Sequence, residues 1–176
     1  ASGVGGFVTS LSAVESLALA RDRFYAQGRF ADVFASVKRA PNALVETLRE
    51  TPGVADVQTT IEQIVRIELP GLADPVIGQL IGIDPRQPPR MNRVTVHVGR
   101  GLDDARHGDG AIPALVSAAF ADARGLAPGS QVGALINGKQ RTLVIVGTGL
   151  SPEYIFAGLW GMPDQRGFGV FWVPHE

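Results

Sequence analysis

Apolar residues recur with helical spacing near the start of the chain. A broad stripe predicts a helix over residues 11–28, and its members are Leu11, Val14, Leu17, Ala18 and Phe24. Gly28 is the predicted end of this helix, because glycine readily adopts the left-handed conformation with which helices commonly end. Pro41 predicts the start of a second, short helix, since its missing N–H would have no partner at a first helical position. Pro52 and Gly53 then predict where that helix ends.

Alternating apolar and polar positions predict strands along the rest of the chain. They cover residues 32–38, 57–69, 76–83, 93–98, 132–136, 141–146 and 167–173. Asn137-Gly138 lies between two of them and is the strongest short signal for a hairpin, because both residue types tolerate positive φ. Residues 112–123 are different. Their apolar residues have helical spacing, with Pro113 near the start and Gly125 just beyond the end, and predict a third helix.

The order of these elements predicts the fold class. Strands outnumber helices and most are joined by hairpins, which favours an α+β fold over a doubly wound parallel sheet. Residues 84–92 contain three prolines and predict an extended connection, which is the best candidate for a boundary between two lobes. No internal repeat or low-complexity tract interrupts this order.

Composition narrows the class of protein. Of the 176 residues, 45% are hydrophobic and 19% are charged, enough to bury the core of one domain or of two small lobes. The formal net charge of -1 argues against nucleic acid as a partner. The absence of cysteine excludes disulfides, thiolate metal sites and thiol catalysis. No signal peptide and no apolar run of about 18 residues is visible, and the start at Ala1 without Met predicts a soluble piece of a longer protein.

Candidate metal ligands cluster in one polar loop. His107 and Asp109 lie close in sequence to Asp103 and Asp104, and together they could offer a nitrogen and several carboxylate oxygens to a divalent cation. Their spacing matches no ligand motif such as an EF-hand loop, so we favour a solvated loop and predict no metal site. The remaining two histidines are expected to face solvent, and they are His97 and His175.

A serine near residue 150 offers weak grounds for hydrolysis. The run from Gly149 resembles a G-x-S-x-G nucleophile elbow, but Glu153 replaces the last glycine and Pro152 removes a backbone N–H that normally helps to form the oxyanion hole. The simpler interpretation makes Ser151 an N-cap and Pro152 the first residue of a helix. Because the sequence also lacks a phosphate-binding loop, a G-x-G-x-x-G run and an H-E-x-x-H run, we expect no catalytic site and no cofactor.

Residues 25–41 are dense in aromatic and charged side chains and read Y-A-Q-G-R-F-A-D-V-F-A-S-V-K-R-A-P. This segment resembles the start of the extracytoplasmic core domain of MacB/FtsX-like ABC transporter permeases, in which a helix leaving the first membrane span runs into R-F-A-D-V-F-A and K-R-A-P. The matching residues are Arg29, Phe30, Asp32, Phe34, Lys38, Arg39 and Pro41. A second matching group follows the predicted hairpin and comprises Ser151, Pro152, Glu153 and Tyr154. With the turn P-G-V and the segment G-L-A-P-G-S, the resemblance covers residues 10–173.

The resemblance implies a division into three parts. Residues 1–28 would be a stalk helix continuing from a membrane span, residues 29–92 with 151–176 a porter-like lobe containing a βαβ unit, and residues 93–150 an inserted, mostly β lobe. It further implies a place on the periplasmic side of the cell inner membrane. The implied partners are a cytoplasmic ATPase subunit, a second permease copy and, in some relatives, a periplasmic accessory protein. The isolated domain is expected to be a monomer.

Two function classes stay open at this point. The first is a non-catalytic transporter domain that transmits ATP-driven motion, or contacts substrate or accessory proteins outside the membrane. The second is a free-standing extracytoplasmic module that binds a ligand or a protein. Membrane-spanning segments before Ala1 and after Glu176 in the parent gene would separate the two. The matching residues are expected to have structural or interface roles.

Overall fold

The computed structural model describes residues 2–41, 43–102, 110–155, 157–158 and 162–175. Among these residues the helices are α1 (Ser2–Gly28), α2 (Ala43–Arg49), α3 (Ala118–Arg124) and a short 3₁₀ helix (Pro152–Tyr154). The strands are β1 (Ile61–Glu68), β2 (Val76–Ile83), β3 (Thr95–Gly99), β4 (Ile112–Ser117), β5 (Gln131–Ile136), β6 (Lys139–Leu150) and β7 (Phe168–Pro174). None of the helices in these ranges is long and apolar enough to cross a membrane.

The sheet closes on itself at β5. Its order is β3-β6-β4-β7-β2-β1-β5, and β5 pairs again with β6. The first half of β6 binds β5 and its second half binds β3, while β4 runs along the opposite edge of β6. Six strands therefore form a ring, and β3 extends the sheet outside it. Closure satisfies backbone groups that would otherwise be left at open sheet edges.

Each face of the ring buries its own apolar cluster, because side chains alternate along a strand. In β7, Phe171 belongs to one cluster with Val116 and Phe120, whereas Trp172 belongs to the other with Leu115. The rings of Phe120 and Phe171 meet edge to face with centroids 5.7 Å apart. Full burial of each such side chain contributes about 1.5–3 kcal/mol. The ring of strands therefore holds most of the stabilising apolar contact.

Most predicted strands are confirmed. β1 and β2 form the expected antiparallel pair, and β7 lies where the last strand was predicted. Asn137 and Gly138 join β5 to β6 with φ of 50° and 73°, as the hairpin signal requires. Gly125 ends α3 in the left-handed conformation and donates to the carbonyls of the preceding turn. The predicted first helix is confirmed and begins earlier, at Ser2.

The strand predicted over residues 32–38 is wrong. This segment has no regular secondary structure and pairs with no strand that the structure describes, so the expected βαβ unit lacks its first strand. The side chains of Val33 and Phe34 are 83% and 51% exposed. The sequence alternates, but among the described residues this segment is not part of the sheet, so its backbone groups gain no ladder hydrogen bonds.

The helix predicted over residues 112–123 is half wrong. Residues Ile112–Ser117 form β4, and only Ala118–Arg124 are helical. β4 lies between β6 and β7 and is buried on both faces, so its apolar residues form a continuous run whose spacing also fits a helix. Pro113 is tolerated because it lies in the part of β4 that pairs with β6 alone.

The fold is mixed α+β with mostly sheet and few helices, in agreement with the predicted class. The expected boundaries at residues 93 and 150 do not divide the sheet. β2 and β7, from the predicted porter-like lobe, are continuous with β4 and β6 from the predicted inserted lobe. The division into two lobes and a stalk stays a prediction.

Candidate functional site

α1 ends in a complete helix cap built from the first group of family-like residues. Arg29 has a left-handed φ of 49°, and its N–H donates to the carbonyl of Ala26 at 3.2 Å. The N–H of Phe30 donates to the carbonyl of Tyr25 at 3.1 Å, and their rings pack with centroids 4.9 Å apart. These two bonds and the ring contact are a Schellman motif, here with arginine in the position that usually holds glycine. The cap fixes the direction in which the chain leaves α1.

The connection before β3 binds this cap. The N–H of Asn92 donates to the carbonyl of Arg29 at 3.1 Å, and the N–H of Arg93 donates to the carbonyl of Gly28 at 2.9 Å. The Oδ1 of Asn92 accepts from the N–H of Ala31 at 3.0 Å. Asn92 has a φ of 50°, a conformation that asparagine tolerates better than most residues. Three hydrogen bonds therefore hold the end of α1 to the connection.

The 3₁₀ helix packs against the same end of α1. The Oγ of Ser151 accepts from the N–H of Glu153 at 3.3 Å, and Pro152 is the first helical residue, which confirms the predicted cap. Gly28 is buried directly against the ring of Pro152, where a side chain would collide with the proline. We call the contact of the α1 end with the connection and the 3₁₀ helix the α1 junction, formed by residues 28–31, 92–93 and 151–154.

A hydrogen-bonded polar cluster lies behind the junction, where the 3₁₀ helix meets β1 and β2. The hydroxyl of Tyr154 lies 3.2 Å from Oε1 of Glu153 and 3.4 Å from Oε1 of Glu62. The Nε2 of Gln79 donates to Oε2 of Glu62 at 2.9 Å and lies 3.4 Å from the Tyr154 hydroxyl. The ring of Tyr154 meets Trp172 edge to face at 6.1 Å, which holds the hydroxyl in place.

Burial sets the protonation of this cluster. Burial raises the pKa of Glu153, a hydrogen bond from Tyr154 lowers it, the nearby carboxylate of Glu62 raises it again, and a hydrogen bond with Asn92 lowers it. Burial also raises the pKa of Tyr154, with the two carboxylates adding to the effect. Tyr154 therefore keeps its proton and acts as a donor, while Glu153 holds its proton to higher pH than an exposed glutamate.

A cavity of about 460 Å³ opens beside the cluster. Its walls come from α2, from the segment before β1, from the proline-rich connection, and from the 3₁₀ helix and the end of the chain. Arg49 of α2 is paired with Glu46 at 2.7 Å, and Arg90 of the connection is paired with Asp56 at 2.9 Å. The volume lies within the usual range for small-molecule pockets, so the cavity could hold a ligand.

An exposed row of apolar side chains leads away from the junction. The ring of Phe30 lies 5.4 Å from that of Phe34, continuing the contact that Tyr25 begins. Phe30 is 41% exposed, Phe34 51%, and Val37 67%. Both phenylalanine rings therefore lie on the surface. We call residues 30–37 the apolar row.

The structure brings one group of predicted residues together and leaves the other apart. Pro152 of the second group packs against Gly28 at the end of α1, and Arg29 of the first group accepts a hydrogen bond from Asn92 beside it. Phe30 and Phe34 lie in the apolar row. The remaining predicted residues are exposed and do not line the cavity, and they are Asp32, Lys38, Arg39 and Pro41.

Sequence reasoning missed three polar residues of the junction and its cluster, which are Asn92, Glu62 and Gln79. Asn92 carried a usable signal, because asparagine tolerates positive φ and lies at the end of the proline-rich connection. The other two had none, since they alternate on strands like any exposed polar residue.

We predicted no metal site, and the structure describes only some of the candidate ligands. The described residues contain no group of three or more histidine, aspartate and glutamate side chains that could hold a metal ion. The polar loop with His107, Asp103, Asp104 and Asp109 lies outside the described residues. His97 and His175 are exposed, as predicted. Ser151 is 5% exposed and its oxygen is used as a cap, an arrangement suited to structure rather than to nucleophilic attack.

Comparison with known proteins finds a likeness to solved structures. No protein-family model matches the chain, and no curated protein matches it. The chain resembles the crystal structure of the extracellular domain of the noncanonic ABC-type transporter YknZ from Gram-positive bacteria, with 16% sequence identity and a TM-score of 0.44. The match covers 76% of this chain and 61% of that one, so the chain spans about three fifths of the neighbour's length.

The neighbour is an extracellular domain of an ABC-type transporter, which is the class that the sequence resemblance names. At this identity and TM-score, the likeness concerns part of the chain path and assigns a role to no residue.

Proposed function

We propose that this chain is the extracytoplasmic domain of a MacB/FtsX-like ABC transporter permease, in which α1 continues from a membrane span and carries the ring of strands at its end. The domain itself is not an enzyme. It transmits motion from a cytoplasmic ATPase subunit to the space outside the membrane, or contacts substrate and accessory proteins there. A second permease copy completes the transporter.

The observation that carries this proposal is the way α1 meets the rest of the chain. The helix has 27 residues and is about 40 Å long, and its contact with the ring is made by its C-terminal end on the 3₁₀ helix. Farther back, Val14, Leu17 and Leu19 are 65%, 72% and 52% exposed. A helix in water gains most of its stability from packing an apolar face. The exposed apolar side chains are therefore better explained if another helix packs against α1, as it would against a membrane-anchored stalk.

The α1 junction supports a mechanical role. Movement of α1 would be transmitted to the rest of the chain through its capped end. Three hydrogen bonds join that end to the connection before β3, and one close contact joins it to the 3₁₀ helix. The matching residues Arg29 and Pro152 lie on the two sides of this junction. A rigid joint at the end of a long helix is suited to passing on motion, whereas a free-standing binding module has no need of one.

The test is the parent gene and its product. We expect hydrophobic segments of about 20 residues on both sides of the region encoding this chain. We also expect the full-length protein, extracted in detergent, to co-purify with an ATPase subunit. A reading frame that ends near Glu176 behind a cleavable signal peptide would contradict the proposal and favour the free-standing module.

A further inference from the structure

The end of α1 is held in a strained backbone conformation. Arg29 has a φ of 49°, a left-handed value that residues other than glycine adopt only at a cost. Asn92, whose N–H donates to the carbonyl of Arg29 at 3.1 Å, has a φ of 50°. Among the described residues only one other non-glycine residue has a positive φ, and that residue, Asn137, belongs to the hairpin turn. The backbone strain outside that turn is therefore concentrated where α1 stops.

The last carbonyl groups of α1 could serve a continued helix equally well. In the cap, the carbonyl of Tyr25 accepts from Phe30 and the carbonyl of Ala26 accepts from Arg29. In a continued α-helix each N–H donates to the carbonyl four residues before it, so Arg29 would donate to Tyr25 and Phe30 to Ala26. The two donors would exchange acceptors without the loss of a backbone hydrogen bond. Arg29 would also leave its strained conformation.

The α1 junction and a continued helix exclude each other. The carbonyl of Gly28 accepts from the N–H of Arg93 at 2.9 Å, and the carbonyl of Arg29 accepts from Asn92. In a continued helix both carbonyls would instead accept from the amides four residues further along the chain. Because Arg29 cannot be left-handed and helical at once, the chain adopts one arrangement or the other. The junction therefore determines where α1 ends.

The segment after the cap can follow the helix. Residues 32–38 have no regular secondary structure and pair with no strand that the structure describes. Phe30, Phe34 and Val37 have helical spacing and would share one face of a continued helix. Extension of an existing helix needs no new nucleus, which is the costly step in helix formation. Pro41 sets the limit, because the residue before a proline avoids the helical conformation.

We propose that residues 29–39 have a second, helical conformation, in which α1 is longer and the α1 junction is open. In the closed state, which is the one in the structure, the junction caps α1 and joins it to the connection before β3. In the open state the helix continues to Arg39 and is longer by roughly 16 Å, at about 1.5 Å per residue. The proposal rests on the cap, the junction and the segment after them, and it holds whether or not the chain belongs to a transporter.

The experiment is NMR of the 176-residue chain and two variants that bias the two states in opposite directions. The Cα chemical shifts of residues 31–38 report helix, and hydrogen exchange at the amide of Arg93 reports opening of the junction. Arg29→Gly should slow this exchange about fivefold, because glycine relieves the strain of the cap and is a poor helix former. Gly28→Ala should speed it up and give residues 31–38 helical shifts. Its Cβ would lie 2.7 Å from Cγ of Pro152, and alanine favours the helix.

Two further variants distinguish helix extension from simple loosening. Gly28→Ala combined with Ser36→Pro should keep the fast exchange at Arg93 and lose the helical shifts around residue 36, because proline breaks a helix interior. Asn92→Ala opens the junction from its other side without a change in α1, and it should also produce helical shifts in residues 31–38. This variant tests the proposal even if Gly28→Ala does not fold.

Retention of the amide spectrum of the strands shows in each variant that the ring is intact. The proposal is overturned if the junction opens in Gly28→Ala or in Asn92→Ala while residues 31–38 keep non-helical shifts. It is also overturned if Arg29→Gly leaves the exchange at Arg93 unchanged, because the strain of the cap would then not limit the closed state.

Discussion

The N-terminal segment, residues 2–55, and the ring of strands use similar residues in opposite ways. Val33 is 83% exposed in the segment, whereas Val116 is fully buried in β4. Phe34 is 51% exposed, whereas Phe171 is fully buried in β7. In the ring most apolar side chains are covered by a neighbouring strand or by α3. In the segment, several apolar side chains between residues 13 and 37 are open to solvent, both in the helix and in the chain after it.

The difference shows what a hydrophobic pattern can and cannot specify. Spacing determines which side chains share a face, but burial requires a second surface within reach. The ring provides that surface for itself by closing, since every strand in it has two neighbours. The segment has no such surface within the described chain, except at the α1 junction. Its open apolar faces are what a partner outside this chain would cover, as the proposed function requires.

The largest expected effect separates the two regions directly. Phe171→Ala should lower the free energy of unfolding by about 3–5 kcal/mol, because it removes a fully buried ring from between Phe120 and the sheet. Phe34→Ala removes the same atoms from the apolar row and should change that energy by no more than about 0.5 kcal/mol. Urea unfolding followed by circular dichroism measures both. Equal losses in the two variants would show that the segment is packed as firmly as the ring, against the comparison.

Much of the ring could be predicted from the sequence because its signals are local. Asn137-Gly138 determined one hairpin, and Gly125 determined the end of α3. β4 could not be assigned in the same way, because a strand buried on both faces has no alternation to distinguish it from a short helix. The closure of the ring was also out of reach, since it depends on β5 pairing with β1, a strand that is distant in sequence.

Only the motif residues of the candidate site could be predicted from the sequence. The motif residues at 29–30 and 151–154 were singled out, and the structure brings them to the α1 junction. Asn92, which connects them, belongs to neither motif, and its role follows from backbone geometry at the end of a proline-rich connection. Glu62 enters the cluster because β1 passes beside the 3₁₀ helix, a proximity that no local pattern encodes.

A second prediction sharpens the comparison at the point where the two regions meet. Asn92→Ala should cost about 1–2 kcal/mol, because it removes the hydrogen bond to Ala31 and places alanine at a positive φ. Asn92→Gly keeps the conformation accessible and should cost about 1 kcal/mol, through the hydrogen bond alone. Amide hydrogen exchange at Ala31 and Arg93 should become faster in both variants. Unchanged exchange at these two amides would show that Asn92 does not hold the junction.

A smaller effect depends on pH. The pKa of Glu153 is raised in the folded protein above its ordinary value, so the folded state binds the proton more tightly than the unfolded state. Stability is therefore greatest below the ordinary value and falls as the pH rises through the raised one. Glu153→Gln lacks this loss. This variant should be more stable than the wild type at about pH 8 and equally stable at about pH 4. The gain at about pH 8 should be smaller than the loss of stability in either Asn92 variant.

Thermal unfolding of both proteins across this pH range gives the measurement. Glu68→Gln is a matched control, because it removes one exposed carboxylate that accepts a hydrogen bond from Gln140 at 2.8 Å and belongs to neither the polar cluster nor the α1 junction. A Glu153→Gln variant that is less stable than the wild type at about pH 8 would mean that the ionised carboxylate is a net stabilising group. The sign of the burial effect would then be wrong.

The smallest expected effect is the removal of most of α1. Deletion of residues 1–24 keeps the cap at Tyr25 to Phe30 and the junction with Pro152, and it removes side chains such as Val14 and Leu17 that are exposed along the helix. The free energy of unfolding of the ring should change by no more than about 0.5 kcal/mol, since few contacts of the ring are lost. Leu17→Glu offers a matched point change with the same expectation and a gain in solubility. If either variant lowers the urea midpoint of the ring as Phe171→Ala does, α1 is a core helix and not a stalk. If neither does, the apolar face of α1 contributes nothing to this chain alone, and its partner must be sought in a neighbouring helix.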